Sequence, residues 1–189
     1  MDLACFDLVN SLVHDYRGTG TTHDHLTEAD WLAQFQARWG LSAAGPADAA
    51  ARARLADLRT DLRRLIDQLA AGTDLDPAAL GAVDRTLAAA ALRRQLRPAD
   101  GGWRLELRPI QHDWTWALAE IAASFASLLT EHDPARVRVC ENPDCRWAFY
   151  DTSRSRTRRW CGDSCGNLVK VRRFRARQRH PERHWHAES

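Results

Sequence analysis

Four cysteines near the C-terminus have the residue type and the spacing of a metal site. They form two short pairs separated by fifteen residues: Cys140 and Cys145, then Cys161 and Cys165. Thiolates are preferred ligands of Zn²⁺, which binds four of them at tetrahedral corners. A zinc ion held by four thiolates has no open position for water. The sequence therefore predicts one structural zinc ion and no metal-based catalysis.

The segment around these cysteines is strongly basic. Between residues 146 and 179, eleven Lys and Arg face only Asp151 and Asp163. Such a surface attracts the phosphate backbone of nucleic acids. The predicted nucleic-acid contacts are Arg154, Arg156, Arg158, Arg159, Lys170, Arg172, Arg173, Arg175 and Arg177. We expect the loop arginines to contact phosphates, and Arg172, Arg173 and Arg175 to reach base edges if their helix lies in a major groove.

The charge of the chain is divided between its two parts. Residues 136–189 contain fourteen Lys and Arg against six Asp and Glu, whereas residues 1–135 contain thirteen against nineteen. A basic terminal segment joined to an acidic body is typical of proteins that bind phosphate backbones. The alternatives are a basic face that serves only solubility and one that binds an acidic partner, including the N-terminal part of this chain.

The N-terminus does not have the pattern of a secretion signal. Asp2 and Asp7 lie where such a signal carries positive charge, and no run of 18 apolar residues indicates a membrane span. We therefore expect a cytoplasmic protein with no membrane contact. Thiols stay reduced in that compartment, which favours metal binding over disulfide formation. Cys5 has apolar neighbours, and we expect it to be buried.

Apolar periodicity predicts a mainly α-helical N-terminal domain, residues 1–134, with one β-hairpin. The predicted helices run from Leu3 to Tyr16, from Thr27 to just before Gly40, through a long segment after Gly45-Pro46, from Asp76-Pro77 to Leu92, and onward from Asp113. Thr27-x-x-Asp30 resembles a capping box, and Asp76 and Asp113 are predicted N-caps. Period-two alternation on either side of Asp100-Gly101-Gly102 predicts the hairpin.

The sequence His132-Asp133-Pro134 predicts a domain boundary. Residues 135–180 are predicted to form a small treble-clef-like or ribbon-like zinc finger. We expect two short strands in it, Arg136–Val139 and Trp147–Tyr150, and a basic helix from about Ser164 toward Arg179. Residues 181–189 are predicted to form a flexible tail.

Aromatic and polar residues of the N-terminal part are candidates for a ligand pocket. They are Asn10, His14, Arg17, Trp31 and Trp114. Tryptophans at helical spacing also suit a plain hydrophobic core, which is the alternative interpretation. His23-Asp24-His25 contains side chains that bind metals, but its Thr- and Gly-rich surroundings favour simple exposure to solvent.

The finger sequence resembles the CGNR zinc-finger family. The similarity lies in Cys140–Arg154 (CENPDCRWAFYDTSR), in Arg158–Cys161 (RRWC) and in Cys165–Asn167 (CGN). Members of that family join the finger to an N-terminal ABATE domain, and Phe6–Ser11 (FDLVNS) resembles the opening motif of that domain. Two departures stand out. Leu168 replaces the arginine that gives the motif its name, and the second cysteine pair is one residue shorter than in many relatives.

The resemblance implies a bacterial transcription regulator that binds DNA through its zinc finger and senses a ligand or a stress signal through its N-terminal domain. A homodimer would suit paired half-sites. The alternatives are an RNA-binding or protein-interaction adaptor and an enzyme in the helical domain that the finger targets. We expect no enzymatic activity, because the sequence contains no nucleophile–base pair, phosphate loop or carboxylate pair that would support one.

Overall fold

The computed structural model of the chain describes residues 2–179, so the predicted tail at 181–189 lies outside the described residues. The helices are α1 (Ala4–Val9), α2 (Ala29–Arg38), α3 (Ala49–Ala71), α4 (Pro77–Ala89), α5 (Trp114–Thr130) and α6 (Asp163–Arg179). The strands are β1 (Leu12–His14), β2 (Thr22–Asp24), β3 (Leu92–Ala99), β4 (Gly102–Pro109), β5 (Val137–Val139) and β6 (Ala148–Tyr150). The strands form three antiparallel pairs, β1 with β2, β3 with β4 and β5 with β6. This confirms the predicted mainly α-helical fold.

The hydrophobic core lies between α3 and α5, and α1 and α4 pack against both. Apolar residues recur every three or four positions in α3, so one face of the helix is buried: Leu55, Leu58, Leu62, Leu65 and Ile66. The helix α5 buries Leu118, Ile121, Phe125 and Leu128. Each such side chain contributes about 1.5–3 kcal/mol when it leaves water. Cys5 is also fully buried in this core, as predicted.

Aspartates begin three of the long helices. The carboxylates of Asp48, Asp76 and Asp113 accept hydrogen bonds from backbone N–H groups of the first turns of α3, α4 and α5. Two of these caps were predicted. The predicted cap at Thr27 is wrong, because α2 begins at Ala29 after Glu28 and the Thr27 hydroxyl donates instead to the Asp24 carbonyl at 2.7 Å.

The first helix is shorter than its periodicity predicts. It ends at Val9 because the Ser11 hydroxyl donates to the Leu8 carbonyl at 2.7 Å and the Asn10 side chain is hydrogen-bonded to a distant strand. Residues 12–14 instead pair with residues 22–24. This strand pair, β1–β2, was not predicted.

The predicted hairpin is confirmed as β3–β4, in which Leu96 lies opposite Leu105. Gly101, in its turn, has a φ of 83°, which favours glycine. The alternation places apolar residues on one face, but that face is open to solvent: Leu92, Leu96, Trp103, Leu105 and Leu107 are each 47–70% exposed.

The strands of the finger are inserted into the core of the helical part. Val137 of β5 and Ala148 of β6 are 0% and 1% exposed, and both belong to the same hydrophobic cluster as α3 and α5. The predicted boundary near Pro134 therefore separates two regions of sequence that share one core. Among residues 2–179, no helix has both the length and the apolar character that a membrane crossing needs.

Replacement of Leu62 by Ala should lower the free energy of unfolding by about 2–5 kcal/mol, because the side chain is fully buried. Leu105→Ala on the open hairpin face should change it by less than about 0.5 kcal/mol. Urea unfolding followed by circular dichroism, with zinc present, measures both. A cost above about 1 kcal/mol at Leu105 would contradict the exposed placement of the hairpin face.

Candidate metal centre and basic surface

The four cysteines converge on one point. The Sγ atom of Cys161 lies 3.6 Å from that of Cys145 and 3.7 Å from that of Cys165, and the four Sγ atoms all lie within 4.8 Å of one another. Sulfur atoms around a tetrahedral zinc ion, with Zn–S bonds near 2.3 Å, are about 3.8 Å apart. The cluster therefore fits one zinc ion, and it is a structural zinc site.

The backbone around the cysteines preorganises the cluster. The Cys140 N–H donates to the Trp147 carbonyl at 2.9 Å, which closes the loop between β5 and β6. Arg146, in that loop, has a φ of 56° and turns the chain back toward β6. The Cys161 N–H donates to the Cys140 Sγ at 3.5 Å. Such N–H contacts stabilise thiolate charge, so they support metal binding before the metal arrives.

The thiols have unequal proton affinities in this cluster. A hydrogen bond from Cys161 lowers the pKa of the Cys145 thiol to about 5. Burial raises the pKa of the Cys165 thiol to about 11. Because zinc binds thiolates, loading of the site must release the remaining protons, and zinc affinity should fall in acid.

Asn142 is a functional residue that the sequence analysis missed. Its side chain is fully buried between the cysteine cluster and the helical part. The amide Nδ2 donates to the Tyr16 carbonyl at 2.8 Å and lies 3.6 Å from the Cys165 Sγ atom. One side chain therefore links the metal site to the turn between β1 and β2. In the sequence, only its position between the zinc ligands Cys140 and Cys145 could have indicated this role.

Asn10 makes a second link between the two parts of the chain. Its amide donates to the Ala148 carbonyl at 2.9 Å, and its carbonyl oxygen accepts from the Ala148 N–H at 2.8 Å. The Asn10 side chain therefore hydrogen-bonds both backbone groups of Ala148, as the backbone of a neighbouring strand would. This role accounts for an asparagine in the motif Phe6–Ser11.

The turn between β1 and β2 lies against the finger. Gly18 has a φ of 85°, and a Cβ atom there would lie 2.8 Å from the Asp144 carboxylate and 2.9 Å from the Arg172 guanidinium. Only glycine permits both the backbone conformation and this approach. The Arg172 guanidinium uses the space to donate to the Arg17 carbonyl at 2.6 Å.

Two of the predicted nucleic-acid contacts in or beside α6 are bound within the chain. Arg172 donates to the Asp144 carboxylate at 2.6 Å. Arg159 donates from Nε to both Glu141 oxygens at 2.7 Å. The sequence analysis counted only two acids against this segment, so the pairing with Asp144 and Glu141 corrects it. These two arginines stabilise the finger before any partner binds.

Two loop arginines are also engaged. Arg156 lies 3.3 Å from the Asp133 carboxylate. Arg158 donates to the Trp160 carbonyl at 3.0 Å, and its guanidinium lies 4.7 Å from the centre of the Phe149 ring. Both side chains therefore have partners within the chain, and both remain exposed, so their contact with phosphates stays a prediction.

Asp151 holds the arginine loop in shape. Its side chain is 0% exposed, and its carboxylate accepts from the Ser153 N–H at 2.8 Å and from the Arg158 N–H at 2.9 Å. Asp151 is therefore a buried hydrogen-bond acceptor that supports the loop, rather than a surface charge that offsets the arginines. The two hydrogen bonds to Asp151 fix the backbone of the loop that carries the arginines.

The remaining predicted contacts are exposed. Within the described range, no ion pair involves Arg154, Lys170, Arg173, Arg175 or Arg177. Lys170, Arg173 and Arg177 are spaced three and four residues apart, so they share one face of α6. Phe174 is 55% exposed on that same face. Cys165 and Val169 of the same helix are buried against the body.

The five residues predicted to form a ligand pocket do not come together. Asn10 is occupied by β6, and His14 lines a separate cavity of about 200 Å³ with Arg59, Arg63 and Arg146. Burial and the charges of Arg146 and Arg63 lower the pKa of His14. Trp31 stacks between two other rings, Trp114 donates to a backbone carbonyl at 3.3 Å, and Arg17 lies over the Tyr16 ring.

Replacement of Cys161 by Ser should abolish stoichiometric zinc binding and unfold α6, because one of four ligands is lost. Most of the helical signal from α3 and α5 should remain. Zinc content by mass spectrometry and far-UV circular dichroism measure the two effects. Cys5→Ala is the matched control, because it removes a buried thiol outside the cluster. Full zinc content in Cys161→Ser would show that the ligand set is different.

Replacement of Asn142 by Ala should lower zinc affinity by about 10- to 100-fold, because it removes a group that supports the ligand Cys165. It should also destabilise the protein by about 1–3 kcal/mol, because the Tyr16 carbonyl loses its partner. Competition with a chromogenic chelator measures the affinity. Asn167→Ala, an exposed amide on α6, is the control and should leave the affinity unchanged.

Comparison with known families agrees with this geometry. A family model described as "Putative stress-induced transcription regulator" and named ABATE matches residues 2–132. A second model, the CGNR zinc finger, matches residues 136–178. A search of curated proteins found no match to the chain. The two family models meet where β5 begins, and together they account for the helical body, the cysteine cluster and α6. The chain therefore belongs to the ABATE family of regulator-like proteins, and a CGNR zinc finger follows its ABATE domain.

Proposed function

We propose that the chain is a transcription regulator that binds duplex DNA through the exposed face of α6 and the adjoining arginine loop. The observation that carries this proposal is the row of Lys170, Arg173 and Arg177, which is exposed and forms no ion pair within the described residues. The zinc site fixes the start of the helix that presents this row. A cationic surface on a rigid support is what binding to a phosphate backbone requires.

Contacts within the chain divide the predicted nucleic-acid contacts into two groups. Arg156, Arg158, Arg159 and Arg172 build the surface, which leaves five free cations to contact the nucleic acid. Arg172 is held by Asp144, so Arg173 and Arg175 are the remaining candidates for base edges. If all five contact phosphates, a plot of log affinity against log salt has a slope of about −4.5, and if Arg173 and Arg175 contact base edges instead the slope is about −2.7.

DNA suits the geometry of α6 better than RNA does. The helix has 17 residues and is about 25 Å long, and its exposed face is free for a groove. The major groove of B-DNA admits an α-helix, whereas the deep, narrow major groove of A-form RNA does not. An RNA-binding adaptor is the second candidate, since Phe174 and Trp147 are exposed aromatic rings on which single-stranded bases can stack.

The proposal includes control of the regulator by a ligand or stress signal at the helical part. The links through Asn10 and Asn142 support it, because they connect that part to the finger. We further propose a homodimer, which would read paired half-sites, and a location in the bacterial cytoplasm, where thiolates remain available to zinc. The proposal assigns no enzymatic activity to the chain.

Selection from a random duplex-DNA pool, with the zinc-loaded protein and with an RNA pool in parallel, tests the proposal. We expect enrichment of a DNA sequence. Enrichment from the RNA pool alone would favour the adaptor, and enrichment from neither pool at low salt would refute nucleic-acid binding.

Charge reversal of Arg173 and Arg177 to Glu should weaken binding to the selected DNA at least tenfold and reduce the salt slope by about 2. Fluorescence anisotropy at several salt concentrations measures both quantities. The matched control is the reversal of Arg93 and Arg97 on β3, which changes the net charge equally. If both double variants weaken binding to the same extent, net charge rather than the α6 face governs affinity.

A further inference from the structure

Two histidines and a glutamate form a cluster far along the chain from the cysteines. His23 and Asp24 are the last two residues of β2, and His25 begins a short 3₁₀ helix. Glu28 immediately precedes α2. The His23 Nε2 atom contacts one Glu28 oxygen, and the His25 Nδ1 atom lies 3.1 Å from the other. One nitrogen of each ring and a carboxylate oxygen all lie within 4.8 Å of one another.

These atoms lie close enough together to share one metal ion after a small adjustment of the side chains. Ligand atoms around tetrahedral zinc, with bonds of 2.0–2.1 Å, are about 3.3 Å apart. Two imidazoles and one carboxylate form a donor set that binds Zn²⁺ and neighbouring divalent metals, and three protein ligands leave a position open. The side chains are reachable from solvent, since His23, Glu28 and His25 are 58%, 39% and 28% exposed.

The backbone that carries the three side chains is fixed. Asp24, between the two histidines, accepts from Arg59 at 2.6 and 2.7 Å and from the Leu26 N–H at 3.0 Å. The His25 N–H donates to the Ser11 carbonyl at 2.9 Å. The His25 ring also stacks on another ring, with centroids 5.5 Å apart. A metal would therefore find the ligands preorganised, which lowers the entropy cost of binding.

An ordinary surface ion pair does not account well for this arrangement. An exposed pair contributes about 0–1 kcal/mol, and a single histidine would be enough to form it. Here two imidazoles converge on the two oxygens of one carboxylate. A divalent cation bound by both ring nitrogens and the carboxylate would replace these two contacts with coordinate bonds.

We propose that His23, His25 and Glu28 form a second, solvent-accessible metal site that binds a divalent transition metal such as Zn²⁺. The site differs from the cysteine cluster in its ligands, its exposure and its open position. It is the kind of site that binds and releases metal, whereas a closed set of four thiolates, three of them buried, retains it.

The position of the site gives it a route to the finger. His23 pairs with Val13 across β1–β2, so the site lies on a hairpin. The turn of that hairpin offers the carbonyls of Tyr16 and Arg17 to Asn142 and Arg172 of the finger. A metal that orders the hairpin orders these contacts as well. This second step rests on the proposed DNA binding, and it predicts that metal at the histidine site tightens that binding.

Isothermal titration of Zn²⁺ into the full-length protein, already loaded with one zinc, tests the site without DNA. The wild-type protein should bind a second equivalent. His23→Gln and the double replacement of His23 and His25 by Ala should lose it and keep the first zinc. His112→Ala, an exposed histidine elsewhere, is the control and should bind both. Absence of a second equivalent in the wild type, or its persistence in the double variant, overturns the proposal.

Fluorescence anisotropy with the selected DNA then tests the coupling. The second equivalent of Zn²⁺ should raise the affinity of the wild-type protein at least fivefold, and it should not change that of the double variant. Equal affinity of the wild type with one and two zinc ions would overturn the regulatory step and leave the metal site standing. Absence of DNA binding under both conditions would instead refute the proposed function.

Discussion

The bond between one metal ion and four thiolates is the constraint on which the C-terminal part depends. It joins the end of β5, the loop before β6 and the first turn of α6, three segments that otherwise share few apolar contacts. The face of α6 that carries Lys170, Arg173 and Arg177 is exposed to solvent, so its own packing does not orient it. Metal coordination supplies the stability that so small a hydrophobic core lacks, since metal binding and folding are coupled in such modules.

Hydrogen bonds from two asparagines extend this constraint into the helical body. Asn10 pairs with Ala148 of β6, and Asn142 joins the turn after β1 to the ligand Cys165. A buried amide is costly unless its partners are in place, so these contacts fix one relative position of the two parts. Rearrangement of the β1–β2 hairpin therefore alters the surroundings of the metal.

Sequence patterns predicted the features that depend on neighbouring residues, but they did not predict those that depend on contacts between distant residues. Cysteine spacing predicted the zinc site, periodicity predicted α3 and α5, and alternation predicted β3–β4. Pairing of residues 12–14 with 22–24 depends on tertiary contacts, which overrode the helical pattern. The partners of Arg156 and Arg172 lie 23 and 28 residues away, so no local rule identifies them.

The insertion of β5 and β6 into the helical core limits how freely evolution or an engineer can recombine this finger. Val137 and Ala148 fill space between helices, so a cut at residue 134 would leave an apolar gap in one fragment and an uncovered apolar edge on the other. A chimera that carries this finger on a foreign body would need a matching socket for both strands. The two parts are therefore better regarded as one inherited unit than as interchangeable modules.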